Sequence, residues 1–220
     1  MNKKKLISLT VGLAILIASS GIASLFILNS GNKNLSAEKI RIACVGDSIT
    51  EGYGYPDDLW MLLGANYTIG NFGVGGSTVA LDSSKPYMNE TAFEEAKEFR
   101  PSIVIIMLGT NDAIPTMQNN ESFVDDYVKL VTEFQALSSK PKIWIVKPPP
   151  VFSNETGLSV ENFKDNVIPS IERVADKTDL PIINVYSALA NYSDFFPVDG
   201  VHPNSEGAML IASEIYKAIS

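Results

Sequence analysis

Residues 40–52 read Ile-Arg-Ile-Ala-Cys-Val-Gly-Asp-Ser-Ile-Thr-Glu-Gly. The apolar run 40–45 stops at Gly46, as a strand buried on both faces would, and small polar residues follow at once. The pattern recurs outward along the chain. Residues 67–72 give way to Gly73-Val74-Gly75-Gly76-Ser77-Thr78, and the β-branched run 102–108 gives way to Gly109-Thr110-Asn111-Asp112. A fourth run, 142–146, ends before Pro148-Pro149-Pro150, which can continue neither a ladder nor a helix. Residues 181–185 supply a fifth. Helical patterns fill the intervals near 56–64, 90–99, 121–138, 160–178 and 204–219. In the last of these, Met209, Ile211, Ala212, Ile215, Tyr216 and Ile219 recur at three- and four-residue steps.

Strands alternating with helices predict a parallel sheet with helices on both faces. Residues 39–220, roughly 180 in all, are enough for one α/β domain with a single core. In such sheets ligands bind beyond the carboxyl ends of the strands. That edge is where the glycine-rich and polar clusters fall, joined by Asp199-Gly200-Val201-His202-Pro203 ahead of the last helix.

The first 28 residues differ from the rest. Lys3, Lys4 and Lys5 precede an uncharged stretch, Leu6 to Leu28, and positive charge before an apolar run marks a signal peptide or a signal anchor. The run reaches spanning length, although Ser8, Thr10, Ser19, Ser20 and Gly21 dilute it. Residues 29–38 are polar and read as a tether. The expectation is a domain outside the cytoplasm, secreted or held at the membrane through residues 1–28. A net charge of −8 and a pI near 4.7 give nucleic acid nothing to bind. Cys44, the only cysteine, excludes an internal disulfide and a cysteine-based metal site, and its apolar surroundings suggest a core residue.

Taken singly, the clusters have ordinary readings. Asp47 or Ser48 can cap a helix, the glycines can make a tight connection, and Asn111 or Asp112 can cap the next segment. Together they provide what ester cleavage requires: a nucleophile, a base and donors for the oxyanion. His202 is the only histidine, so a serine–histidine mechanism must use it. Asp199 stands three residues earlier, and a tight turn would set its carboxylate beside the ring. Asn111 offers an uncharged N–H, a glycine lets backbone approach closely, and the Ser48 N–H is a third donor. No metal or cofactor is required.

The four blocks, in this order, resemble the SGNH hydrolase (GDSL esterase) family, named for a Ser, a Gly, an Asn and a His on separate blocks. The resemblance covers residues 42 to about 207. It implies a flavodoxin-like three-layer sandwich of about five parallel strands, with Ser48 as nucleophile, His202 as base and Asp199 as its partner. By the same resemblance the oxyanion donors are Ser48, Gly76 and Asn111, with Gly73 or Gly75 as neighbours if the register slips. The first block has Ile49 where the name-giving form has Leu. There is no Gly-x-Ser-x-Gly elbow and no Gly-Lys-Ser/Thr phosphate loop.

The wording Gly-Asp-Ser-Ile-Thr-Glu-Gly and Met107-Leu108-Gly-Thr-Asn-Asp looks similar to carbohydrate O-acetylesterases. The implied substrate is an acetylated glycan or a small ester. The alternatives are a broad short-chain esterase or lysophospholipase, an O-acyltransferase, and an inactive glycan binder. Tyr53, Tyr55, Trp60, Tyr87, Trp144 and Phe195 are candidates for a sugar platform or for core packing, with Trp144 expected in the core. The pair Asp125-Asp126 reads as a solvated helix face.

Overall fold

A computed structural model describes residues 39–115 and 120–220. The N-terminal segment 1–28 and the tether 29–38 lie outside the described residues. In chain order the domain runs β1 (Ile40–Gly46), α1 (Ser48–Gly52), α2 (Tyr55–Leu63), β2 (Tyr67–Gly73), α3 (Thr91–Glu98), β3 (Ile103–Met107) and α4 (Asn120–Gln135). It continues with β4 (Lys142–Val146), α5 (Val160–Asn162), a π turn (Phe163–Val167), α6 (Ile168–Thr178), β5 (Ile182–Ile183), α7 (Val185–Leu189) and α8 (Ser205–Ile219).

The five strands are parallel and lie in the order β2-β1-β3-β4-β5. This is the flavodoxin-like order, with its switch point between β1 and β3. Gly46 is level with Gly73 on one side and Met107 on the other. The first three blocks therefore leave the sheet along one edge.

Strand period two sorts the core into two layers. Ala43, Val45, Val104, Ile106, Ile143 and Ile145 point to one face and meet apolar residues of α3, α4 and α6, among them Phe93, Phe134 and Ile171. Ile42, Cys44, Ile103, Ile105, Met107 and Val146 point to the other and meet Leu59 of α2 and Ile211 and Ile215 of α8. The expected three-layer sandwich is what forms. Cys44 is wholly buried, and burial pushes its thiol up to about 12, so it sits in the core as an unreactive apolar group.

Two elements depart from the pattern. The fifth strand keeps only Ile182 and Ile183, because the Asn184 side chain accepts the Ser187 N–H at 3.1 Å and starts a helix where Val185 was expected to extend the strand. Helix α1 has five residues, too few to leave a periodic trace. Its start is fixed instead by the Asp47 carboxylate, which accepts the Ile49 N–H at 3.0 Å.

Candidate active site

The nucleophile candidate sits where β1 becomes α1. A side chain at Gly46 would put its Cβ 1.9 Å from Thr50 Oγ1, so only glycine lets the strand turn into the helix there. Asp47 is buried and caps α1 through Oδ1, and its carbonyl accepts the N–H groups of Thr50 and Glu51. Ser48 follows as the first residue of the helix, where a backbone N–H has no intrahelical partner.

The Ser48 hydroxyl lies 2.8 Å from His202 Nε2, and His202 Nδ1 lies 2.6 Å from Asp199 Oδ2. The other carboxylate oxygen, Oδ1, accepts the N–H groups of Val201 and His202, each at 2.9 Å. The turn needs Gly200 at φ +73, pressed against Ser153. Burial alone would raise the Asp199 carboxyl, but the hydrogen bonds from His202 and Val201 outweigh it and leave it below the usual carboxylate range. A carboxylate facing Nδ1 holds the proton there, which leaves Nε2 to accept the serine proton. The expected tight turn from Asp199 to His202 is present.

Tyr53, just past α1, stacks on the His202 ring with centroids 4.5 Å apart and planes 14° from parallel. The short helix that carries Ser48 is thus followed at once by the ring that stacks on the serine's hydrogen-bond partner. Tyr55 and Tyr87 are wholly buried and their hydroxyls are taken by Thr50 and Phe72, so neither belongs to a sugar platform. Trp144 is only partly buried against the core. Trp60 is half exposed, and Phe195 stacks on Tyr192.

The loop after β2 passes beside the serine: a Cβ on Gly75 would stand 3.8 Å from Ser48 Cβ. Its glycines differ in what their N–H groups do. Gly73 donates to Asn71 Oδ1 at 3.0 Å and Gly75 to Glu51 Oε2 at 2.9 Å. The Gly76 N–H has no acceptor among the described residues, nor has that of Ser48. Asn111 donates one amide hydrogen to the Ser77 carbonyl at 3.0 Å, which ties the third block to this loop and leaves its second hydrogen free to serve a ligand.

Two carboxylates hold the loop from beneath, and neither was recognised from sequence. Asp112, expected at most to cap a segment, is buried and accepts the N–H groups of Val79 and Ala80 at 2.9 to 3.1 Å. Asp126 corrects the expectation of a solvated Asp125-Asp126 face. It is buried and accepts the Leu81 N–H at 2.9 Å, because the loop packs over that side of α4. Asp125 is exposed beside Lys177, as expected. Among the described residues no three His, Cys, Asp or Glu side chains gather as metal ligands.

Burial pushes the Asp47 carboxyl up to about 6 and that of Asp112 up to about 7, each against the pull of its N–H bonds. Both bind protons more readily folded than unfolded. Their contribution to stability is therefore complete at acid pH and declines as pH rises from the ordinary value of 3.8 toward 6 and 7. Asp199, shifted the other way, keeps its full contribution throughout pH 5 to 8. The thermal midpoint should be higher at pH 5 than at pH 8; an equal or lower midpoint at pH 5 would contradict these assignments.

The sequence profile of the GDSL-like lipase/acylhydrolase family matches residues 44–210, most of the chain and all four blocks. The chain belongs to that family. It is similar to an acetylxylan esterase of Xylanibacter ruminicola, 34% identical over 216 residues, covering 85% of this chain and 45% of that protein. The chain thus spans a little under half the length of this relative. Among solved structures it resembles the lipase/acylhydrolase of Enterococcus faecalis (24% identity, TM-score 0.66, 82% of this chain and 95% of that one). It also resembles a catalytic mutant of an acetylxylan esterase from Geobacillus stearothermophilus (20% identity, TM-score 0.66, 82% and 94%). At these identities the structural likeness establishes the GDSL-type fold. The family is one of ester hydrolases, and the hydrogen-bonded serine, histidine and aspartate beside uncommitted N–H donors are the groups such a reaction uses.

Proposed function

We propose that this protein hydrolyses carboxylic esters through Ser48 and that its substrate is an O-acetylated carbohydrate. The observation that carries the chemistry is the unbroken chain from Ser48 Oγ to His202 to Asp199. Ser48 Oγ attacks the ester carbonyl carbon while its proton passes to His202 Nε2, and Asp199 stabilises the imidazolium. The carbonyl oxygen becomes an oxyanion facing the N–H groups of Ser48 and Gly76 and the free amide hydrogen of Asn111. Collapse expels the sugar alcohol, which takes the proton from His202 and leaves an acetyl-Ser48. Water, activated by His202, then releases acetate and restores the serine.

The carbohydrate reading is supported by the Xylanibacter ruminicola relative, whose name states acetylxylan as its substrate. Residues 1–28 fit it as an export signal or anchor, since glycan esters are met outside the cytoplasm and acyl-CoA is not. The test is acetate release from acetylated xylo-oligosaccharides, beside p-nitrophenyl esters of increasing acyl length. Acetate release from the oligosaccharide, and p-nitrophenyl acetate cleaved faster than the decanoate, is the expected result. A decanoate rate well above the acetate rate would overturn the acetylesterase assignment. Acetylated acceptor in place of free acetate would make the enzyme a transferase.

A further inference from the structure

The proposed oxyanion donor at Gly76 is half of a peptide unit whose other half, the Gly75 carbonyl, accepts a hydrogen bond from Lys85 Nζ at 2.8 Å. The unit lies in the middle of a four-residue turn, Val74 to Ser77, closed by the Ser77 N–H on the Val74 carbonyl at 3.1 Å. Gly76 holds φ +75 and Gly75 does not take a positive φ, the pattern of a type II turn. Types I and II differ by a rotation of their central peptide through about 180°. Here that peptide joins two glycines, which present no Cβ to resist the rotation. In the flipped turn the Gly76 N–H would point to the opposite side from the one it now faces.

Of the two charged side chains on this turn, Lys85 opposes the flip directly, and Glu51 fixes the preceding Val74–Gly75 peptide. Glu51, on the helix that carries Ser48, accepts the Gly75 N–H, and Lys85 holds the Gly75 carbonyl. The Lys85 backbone is itself pinned: its carbonyl accepts the Thr78 N–H at 3.0 Å, and its N–H donates to Ser83 Oγ at 3.2 Å. Among the described residues no carboxylate pairs with the Lys85 ammonium. Its charge is directed at one carbonyl oxygen.

We propose that Lys85 is a positioning residue for the reaction, locking the Gly75–Gly76 peptide with its N–H toward the oxyanion and strengthening that N–H as a donor. A cation on the carbonyl oxygen draws electron density across the amide and makes the N–H at its far end more acidic. The effect is felt most where negative charge is largest, in the transition state, so it belongs in kcat rather than in KM. The inference rests on Ser48 and Gly76 acting as proposed above.

The experiment compares wild type, Lys85→Met and Lys85→Arg on p-nitrophenyl acetate, with Ser48→Ala as the control for the parent reading. Losing an oxyanion donor outright costs about 10²- to 10³-fold in kcat, and a misdirected donor loses part of that. Lys85→Met should lower kcat by about 10- to 100-fold with KM and the thermal midpoint little changed, and Lys85→Arg should restore most of the rate. Wild-type kcat in Lys85→Met would overturn the inference alone. So would a kcat loss that tracks a lowered midpoint and is not rescued by Arg, because that would be a structural role. Wild-type turnover that does not depend on Ser48 would remove the parent reading, and this one with it.

Discussion

Replacing Ser48 with alanine should lower kcat by about four to six orders of magnitude and leave the fold intact. The substitution deletes the one oxygen that His202 Nε2 faces at 2.8 Å and leaves every group that shapes the turn. Asp47 still caps α1 through the Ile49 N–H, Gly46 still admits Thr50, and alanine at the first helical position favours the helix. What survives is the polarising effect of the oxyanion donors and substrate binding, which in comparable serine hydrolases amounts to about 10³- to 10⁴-fold over water. Steady-state rates with circular dichroism on the same sample check the result. Turnover within tenfold of wild type, from a folded variant, would rule out Ser48 as nucleophile.

Asp199→Asn should cost nearly as much, about 10³- to 10⁴-fold in kcat, for a reason the turn geometry supplies. One carboxylate oxygen accepts two backbone N–H groups, from Val201 and His202, and the other faces Nδ1. An asparagine carbonyl must take the first position, because its NH₂ cannot accept from two N–H donors. The NH₂ is then turned toward Nδ1 and donates to it. That places the ring proton on Nε2, and a protonated Nε2 cannot accept the proton of Ser48. The turn and the thermal midpoint should be preserved while the rate collapses. Asp199→Ala offers the backbone N–H groups no acceptor and should lower both. A rate for Asp199→Asn within tenfold of wild type would show that Asp199 does not set the tautomer.

The three central strands were legible because they are largely buried and read as apolar runs, and the half-buried edge strand β2 was legible as a shorter run that stops at Gly73. β5 was the exception: two residues carry no period, and the side chain of Asn184, inside the expected run 181–185, ends it. Helix α1 was invisible for the same reason of length. The arrangement of the candidate site was legible wherever one residue type at one spacing was required, as with the only histidine and an aspartate three positions before it.

Apart from the Ser48–His202 pairing that the resemblance implied, contacts between distant segments were not legible. Asp112 and Asp126 meet the N–H groups of residues more than thirty positions away. Nothing in the local pattern separates such carboxylates from a helix cap or a solvated face, although loop N–H groups that must be satisfied under burial were a reason to look for acceptors. The stacking of Tyr53 on His202 bridges separate blocks in the same way. The three glycines of the second block are alike in sequence. They differ in what already holds their N–H groups, which the folded loop alone decides.

The account stands most directly on covalent capture of Ser48. Incubating the full chain with an alkyl fluorophosphonate displaces fluoride and leaves a phosphonyl group on a serine activated by its histidine. Tandem mass spectrometry then locates it. One adduct per chain, on Ser48, absent from Ser48→Ala and strongly slowed in His202→Ala, is the predicted result. No adduct on a folded protein, or an adduct that persists in Ser48→Ala, would contradict it.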